Sequence, residues 1–292
     1  MNLDVQLDRV SVTYGSVEAV RDVSLRLPAG KIYGLLGRNG AGKTSLLSIL
    51  ASFREPSSGS VTIGGEQPFE NAKIMKEVSF IYDVDYKEET DKVKAAIESV
   101  ARYRPHFDTA YALELARKFN LPLDNQLKQL SKGMQSAFNV CIGLASRSPV
   151  TILDEAYLGM DAPSREIFYR ELLKDQERHP RTFILSTHLV SEMDYLFEEV
   201  IIIHKGRFLL QDDYESLTSK GVSITGPATK VDEFIQGMKV LNVQQLGSTK
   251  AVMVYGELDE ASQSAALKAG LEIGPISLQD LFIHLTGEEY SA

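Results

Sequence analysis

Eight consecutive residues, Gly37-Arg38-Asn39-Gly40-Ala41-Gly42-Lys43-Thr44, restrict the architectures open to this chain more than any other feature. They follow the apolar run Lys31 to Leu36 and lead into Leu46, Leu47, Ile49 and Leu50, whose spacing is helical. A strand that turns through glycines directly into a helix begins a parallel crossover, so the chain is expected to build an α/β sheet. The pattern G-x-x-x-x-G-K-[ST] also has a chemical reading. Glycines let backbone N–H groups converge on phosphate oxygens, and the helix N-terminus adds positive potential. Lys43 is placed to reach β- and γ-phosphates, and the Thr44 hydroxyl to ligate Mg²⁺.

The rest of the chain fits that frame. Strand-like runs cover Val5 to Val12, Ser24 to Leu27, Val150 to Leu153, Thr182 to Leu185 and Val200 to Ile203. Helical spacing runs from Asp91 to about Asn120, broken near Pro105, and again from Lys132 to Ser146. Strands alternating with helices indicate a parallel sheet with a helical insertion at about residues 84–148. After Thr218 to Gly221 the rhythm changes to strand-helix-strand-strand-helix-strand, the order of a ferredoxin-like domain. The expected division is therefore 1–218 and 219–292, one large and one small domain.

Composition narrows the function classes. Forty acidic against 31 basic residues give a net charge of −9, which argues against a nucleic-acid partner. The only cysteine, Cys141, lies between Val140 and Ile142, so no intrachain disulfide forms and the thiol reads as a buried hydrophobe. Met1-Asn2-Leu3-Asp4 is not a secretory signal, and runs such as Val200 to Ile203 fall far short of the roughly 18 residues a membrane span needs. The chain reads as cytoplasmic unless another chain holds it at a membrane. The five histidines show no metal-ligand spacing.

Three further motifs carry chemistry. Ile152-Leu153-Asp154-Glu155 is a buried-type strand ending in two acids: Asp154 can hold a magnesium shell and Glu155 can polarise a water. Leu130-Ser131-Lys132-Gly133-Met134 stands at a helix start, where Ser131 also has the plain reading of an N-cap. Ser186-Thr187-His188 follows an apolar strand, a position where a lone histidine is commonly structural.

In this order and at these intervals the motifs resemble an ABC-type ATPase, the nucleotide-binding subunit of an ATP-binding cassette transporter, over about residues 3–215. The resemblance implies a P-loop NTPase of ABC type with a helical subdomain, here followed by a small C-terminal α+β domain. It implies ATP and Mg²⁺ as ligands, Tyr14 stacking on adenine, and Gly37, Arg38, Asn39, Gly40, Ala41, Gly42, Lys43, Thr44 and Ser45 as the phosphate loop. Ser131 and Gly133 would contact nucleotide held by a partner cassette, with Asp161 in the adjoining D-loop. Asp154 would be the magnesium-site aspartate, Glu155 the catalytic base, His188 the γ-phosphate sensor, and Lys43 the stabiliser of developing charge.

Departures from the family pattern matter. Asp83 stands where a glutamine usually contacts magnesium, with Tyr82 before it in place of a proline. An aspartate there can be a third metal ligand, and altered coupling is expected rather than loss of nucleotide binding. Lys132 and Met134 replace glycine and glutamine of the usual signature, and Lys132 reads either as a phosphate attractor or as a solvated helix-start lysine. Ala156 and Tyr157 replace a common Pro-Thr. Because Lys43, Asp154, Glu155 and His188 are all present, hydrolysis is expected.

The resemblance further implies an ATP-dependent homodimer or heterodimer of cassettes driving separately encoded membrane permease subunits at the inner face of the cell membrane. The ending Ser277 to Gly287 resembles export-type bacterial systems, with a narrower likeness to the branch found with GntR-type regulators. The small C-terminal domain could regulate, dimerise or cap the sheet. Two alternatives are weighed against transport-coupled hydrolysis: a regulatory cassette that closes on ATP with little turnover, and a non-transport ATPase of translation or DNA repair. The second is usually marked by paired cassettes, long coiled coils or basic surfaces, all missing from this sequence, and the N-K-x-D that a GTPase uses for guanine does not occur.

Overall fold

The protein is described by a computed structural model that covers residues 3–219, 221–256 and 258–287. The expected domain boundary at Thr218 to Gly221 includes Lys220, which lies outside the described residues. The chain divides into two compact units, one built from residues up to His188 with Ile201–Leu210, the other from Leu189–Val200 and residues from Gln211 onward.

The first unit opens with β1 (Val5–Tyr14) and β2 (Val17–Leu27), an antiparallel pair. Next, β3 (Ile32–Leu36) passes through the glycine loop into α1 (Lys43–Leu50), and β4 (Ser58–Ile63) returns to pair with β1. The middle of the chain runs through α2 (Ala72–Met75), β5 (Val78–Ile81), α3 (Val93–Tyr103), α4 (Thr109–Lys118) and α5 (Lys132–Ala145). The chain continues with β6 (Val150–Asp154), α6 (Ala162–Arg178) and β7 (Thr182–Thr187), then α7 (Val190–Met193) of the second unit, then β8 (Glu199–His204) and β9 (Arg207–Asp213), most of whose residues belong to the first.

Six of these strands form one sheet in the order β5-β6-β7-β3-β8-β9, with β5, β6, β7 and β3 parallel. Every residue of β3, β6 and β7 is buried, the continuous apolar reading expected of strands covered on both faces. The parallel α/β expectation holds. β8 and β9 are joined by Lys205 and Gly206, both at positive φ (49° and 79°), the backbone of a two-residue hairpin turn.

The expected helix break near Pro105 has a local cause. Residues before proline avoid helical ψ, so α3 stops at Tyr103. α4 restarts where the Asp108 carboxylate accepts the Tyr111 N–H at 2.9 Å. Helix α6 escaped the sequence reading because two residues of its buried face are acids. Glu171 meets Lys118 at 2.7 Å, and Asp175 meets Arg181 at 2.5 Å and also Arg147. An apolar-periodicity test does not see a face built from paired charges.

In the second unit α8 (Tyr214–Ser219) precedes β10 (Gly221–Pro227), α9 (Ala228–Phe234), β11 (Lys239–Leu246), β12 (Thr249–Tyr255), α10 (Glu260–Lys268), β13 (Glu272–Pro275) and α11 (Leu278–Leu285). The sheet order β11-β12-β10-β13, antiparallel throughout, is ferredoxin-like, as the sequence rhythm implied. Ile224, Val231, Val252, Val254, Ala266 and Leu271 make its core. α9 is shorter than the Lys230 to Met238 segment anticipated, because Gly237 takes φ 80° in the turn into β11. Among the described residues no helix is long and apolar enough to cross a membrane.

Candidate functional site

The glycine loop is shaped by backbone conformations that other residues resist. Gly40 and Gly42 have φ of 78° and 102°, and a β-carbon on Gly42 would run into the Ala19 carbonyl. Gly42 caps α1 without a side-chain hydrogen bond, leaving the helix N-terminus open for an anion. Lys43, only 6% exposed, donates to the Gly37 carbonyl at 2.8 Å and approaches the Arg38 carbonyl at 3.5 Å. Arg38, Asn39 and Thr44 are exposed, Ala41 is buried, and Ser45 is intermediate. These are the features that a polyphosphate cradle would require.

The sheet then delivers the acids. β6 ends at Asp154, 7% exposed, whose carboxylate accepts the Ser186 hydroxyl at the end of neighbouring β7. Ser186 Oγ in turn accepts the Glu155 N–H at 3.0 Å. Glu155 has φ 48°, a strained value for a non-glycine residue, so the strand end turns its carboxylate under constraint. That carboxylate gathers the three residues expected to be catalytic. Glu155 Oε1 lies 3.2 Å from Lys43 Nζ and 3.2 Å from His188 Nδ1.

Thr44 and Asp154 supply hard oxygen donors of the kind Mg²⁺ prefers, and the Asp154 carboxylate is already oriented by Ser186. Among the described residues no group of three or more His, Cys, Asp or Glu could hold a metal ion. Asp83 has a different partner: its carboxylate is ion-paired with Lys132, so the two unusual charges neutralise one another within the chain. The loop bearing Asp83 is fastened to α5 again by Tyr86, whose hydroxyl donates to Asn139 Oδ1 at 2.5 Å. Burial pushes the Tyr86 phenol up to about 12.

Ser131 is the N-cap of α5, accepting the Met134 N–H at 3.3 Å, so the plain reading of that residue is realised. A β-carbon on Gly133 would strike the Gly159 carbonyl, and the Ser136 hydroxyl donates to Leu158 O at 2.5 Å. The signature and D-loop segments are thus one packed surface. Asp161 caps α6 by accepting the Ser164 N–H at 2.9 Å, and Ser164 holds its carboxyl below the usual range.

Tyr14, 48% exposed, ends β1 with the Arg54 guanidinium 4.1 Å from its ring centroid. Hydrogen bonding from Ser45, with help from Arg54 and Ser48 and against the opposing effect of burial, lowers its hydroxyl below the ordinary phenol value. Arg54 escaped the sequence reading, as did Ser186 as a bridge and Tyr157 as a neighbour of His188. Tyr157 O–H and His188 Nδ1 are 3.4 Å apart. The available signal was polarity where buried strands end: Ser186, and Tyr157 just after the acidic pair.

Comparison with known proteins gives the family. A family model described as ABC transporter matches residues 20–158. The ABC transporter ATP-binding protein NatA of Bacillus subtilis (strain 168) is 33% identical over 69% of this chain and 84% of its own. The Nod factor export ATP-binding protein I of Cupriavidus pinatubonensis is 27% identical over 98% of this chain and 91% of its own. The fold is shared with the dimeric structure of MJ0796, a bacterial ABC transporter cassette, at TM-score 0.63 and 21% identity over 72% of this chain and 98% of that one. A phosphate cradle opening α1, two acids closing β6 and a relative alike over most of both chains lead to one placement: this chain is an ABC-type ATPase, a member of the ABC transporter ATP-binding proteins.

Proposed function

We propose that this ATP-binding cassette hydrolyses ATP through Glu155 to drive separately encoded permease subunits, in an export-type system. The observation that carries the reading is the meeting of Lys43, Glu155 and His188 on one carboxylate oxygen. Tyr14 stacks on adenine and residues 37–45 hold the phosphates through backbone N–H groups. Lys43 neutralises charge as the γ-phosphoryl group transfers, Glu155 orients the attacking water, and His188 contacts the γ-phosphate. Thr44 and Asp154 would hold Mg²⁺, which supplies further charge neutralisation when bound; Asp83 joins them only by giving up Lys132.

Two cassettes, alike or different, pack head to tail so that Ser131, Gly133 and Asp161 face nucleotide on the partner. The dimeric relative supports that arrangement, and the export named in the Nod factor relatives supports the direction. The chain then sits at the inner face of the membrane through its permease, with residues 219–292 as a separate small domain and 84–148 as the helical subdomain.

The Asp83–Lys132 pair favours one second reading, a cassette whose closure is restrained and whose turnover is low. Steady-state phosphate release, compared with Lys43→Ala, separates the two. The central test is the solution mass of Glu155→Gln by light scattering. Doubling with Mg-ATP is expected; a monomer with ATP demonstrably bound overturns self-assembly and points to a different cassette as partner.

A further inference from the structure

The His188 imidazole has two neighbours at the same nitrogen, and they demand opposite things of it. Glu155 Oε1, 3.2 Å from Nδ1, is an acceptor and requires Nδ1 to carry hydrogen. In the neutral ring that leaves Nε2 as an acceptor, the wrong polarity for a phosphate oxygen. The Tyr157 hydroxyl, 3.4 Å from the same Nδ1, can donate to it and leave the hydrogen on Nε2. That tautomer donates to phosphate.

The Tyr157 hydroxyl is held for this task. The ring is 2% exposed, and its oxygen accepts the Thr187 hydroxyl at 3.0 Å and the His188 backbone N–H at 3.4 Å. With its oxygen accepting these bonds, the hydroxyl proton is the group that serves a Tyr157–Nδ1 hydrogen bond. The residue common in the family at this position, threonine, carries its hydroxyl on Cβ instead of at the tip of a ring.

We propose that Tyr157 is a positioning residue that fixes His188 as the Nε2–H tautomer when Glu155 turns to the attacking water. Lys43 and His188 both face Glu155 Oε1, so a turn of this carboxylate toward the attacking water frees Nδ1 from its acceptor. As it does, Nδ1 gives its proton to solvent and Nε2 takes one from solvent, with no net change. Tyr157 then holds the ring from the Nδ1 side. This rests on the proposed roles of Glu155 and His188.

The test is Tyr157→Phe, which keeps the ring and removes the hydroxyl, in the full chain. In steady-state phosphate release kcat is expected to fall about tenfold or more with KM for ATP within about twofold, the mark of an interaction made in the transition state. In a His188→Asn background the same change is expected to add nothing. A kcat within twofold of the parent, or an equal loss without His188, overturns the proposal. Ring ¹⁵N resonances of His188, assigned by their loss in His188→Asn, give a readout independent of turnover. In Glu155→Ala, removing the Tyr157 hydroxyl is expected to shift Nδ1. An unmoved resonance overturns the proposal. A parent chain without ATPase activity refutes the proposed function instead, and the spectrum still decides the role of Tyr157.

Discussion

The two units of this protein solve the same packing problem with different sheets, and only one of them places chemistry at its strand ends. In the parallel sheet β3, β6 and β7 are buried along their whole length, yet β6 ends in Asp154 and β7 in Ser186 and Thr187. Those buried polar groups are affordable because they satisfy each other: Ser186 bridges Asp154 and the Glu155 N–H. In the second unit the buried residues clustered at the four-stranded sheet, Ile224, Val231, Val252, Val254, Ala266 and Leu271, are apolar, and β11 lies at the sheet edge with most of its residues exposed. Antiparallel strands turn back at their ends. Parallel strands must all leave the sheet at the same edge, so their C-termini converge and gather side chains distant in sequence.

The comparison can be broken most sharply at Lys43. Lys43→Ala is expected to lower ATP hydrolysis at least about a hundredfold while far-UV and thermal signatures of the second unit stay unchanged; retained phosphate release would remove the site from the parallel edge. The converse change, Leu271→Ala, empties a buried position of the apolar core and is expected to cost about 2–3 kcal/mol in urea unfolding. ATPase activity should stay within about twofold, and a large loss would show that the small unit is part of the chemistry.

Cys141 sharpens the burial side of the comparison. Complete burial pushes its thiol well above the ordinary value, so it remains protonated in the folded protein and should react with a thiol reagent only as fast as the first unit opens. Its folded value is raised, so its contribution to stability is full below about pH 8.5 and declines above it as the unfolded thiol ionises first. A stability profile that rises through that range would contradict this. The smallest expected effect is on stability in Asp83→Gln, under about 1 kcal/mol because both partners of the Asp83–Lys132 pair are about half exposed. The same variant should alter ATPase rate or Mg²⁺ dependence, measured by magnesium titration; no change in either would mean that Asp83 has no part in coupling.

The legibility of the sequence followed the range of the interactions. The phosphate loop, the acidic strand end, the break at Pro105 and the ferredoxin-like rhythm were readable because each depends on neighbouring residues. Helix α6 was not, since Glu171 and Asp175 look like surface acids until Lys118, Arg147 and Arg181 stand against them. Asp83 and Lys132 were each read as an isolated departure, and only the fold makes them a pair. Tyr157 was legible as unusual but not as a neighbour of His188.

What the sequence determined by itself was a strand, a loop of positive-φ glycines and a helix N-terminus, because backbone conformation and its unsatisfied N–H groups are local properties. It also determined which residue types were available for chemistry. The tertiary structure alone decided that Lys43, Glu155 and His188 share one oxygen, and that Ser186 and Tyr157 stand behind them. Those contacts are set by the register of parallel strands, and register is fixed by packing on both faces of the sheet rather than by any single segment.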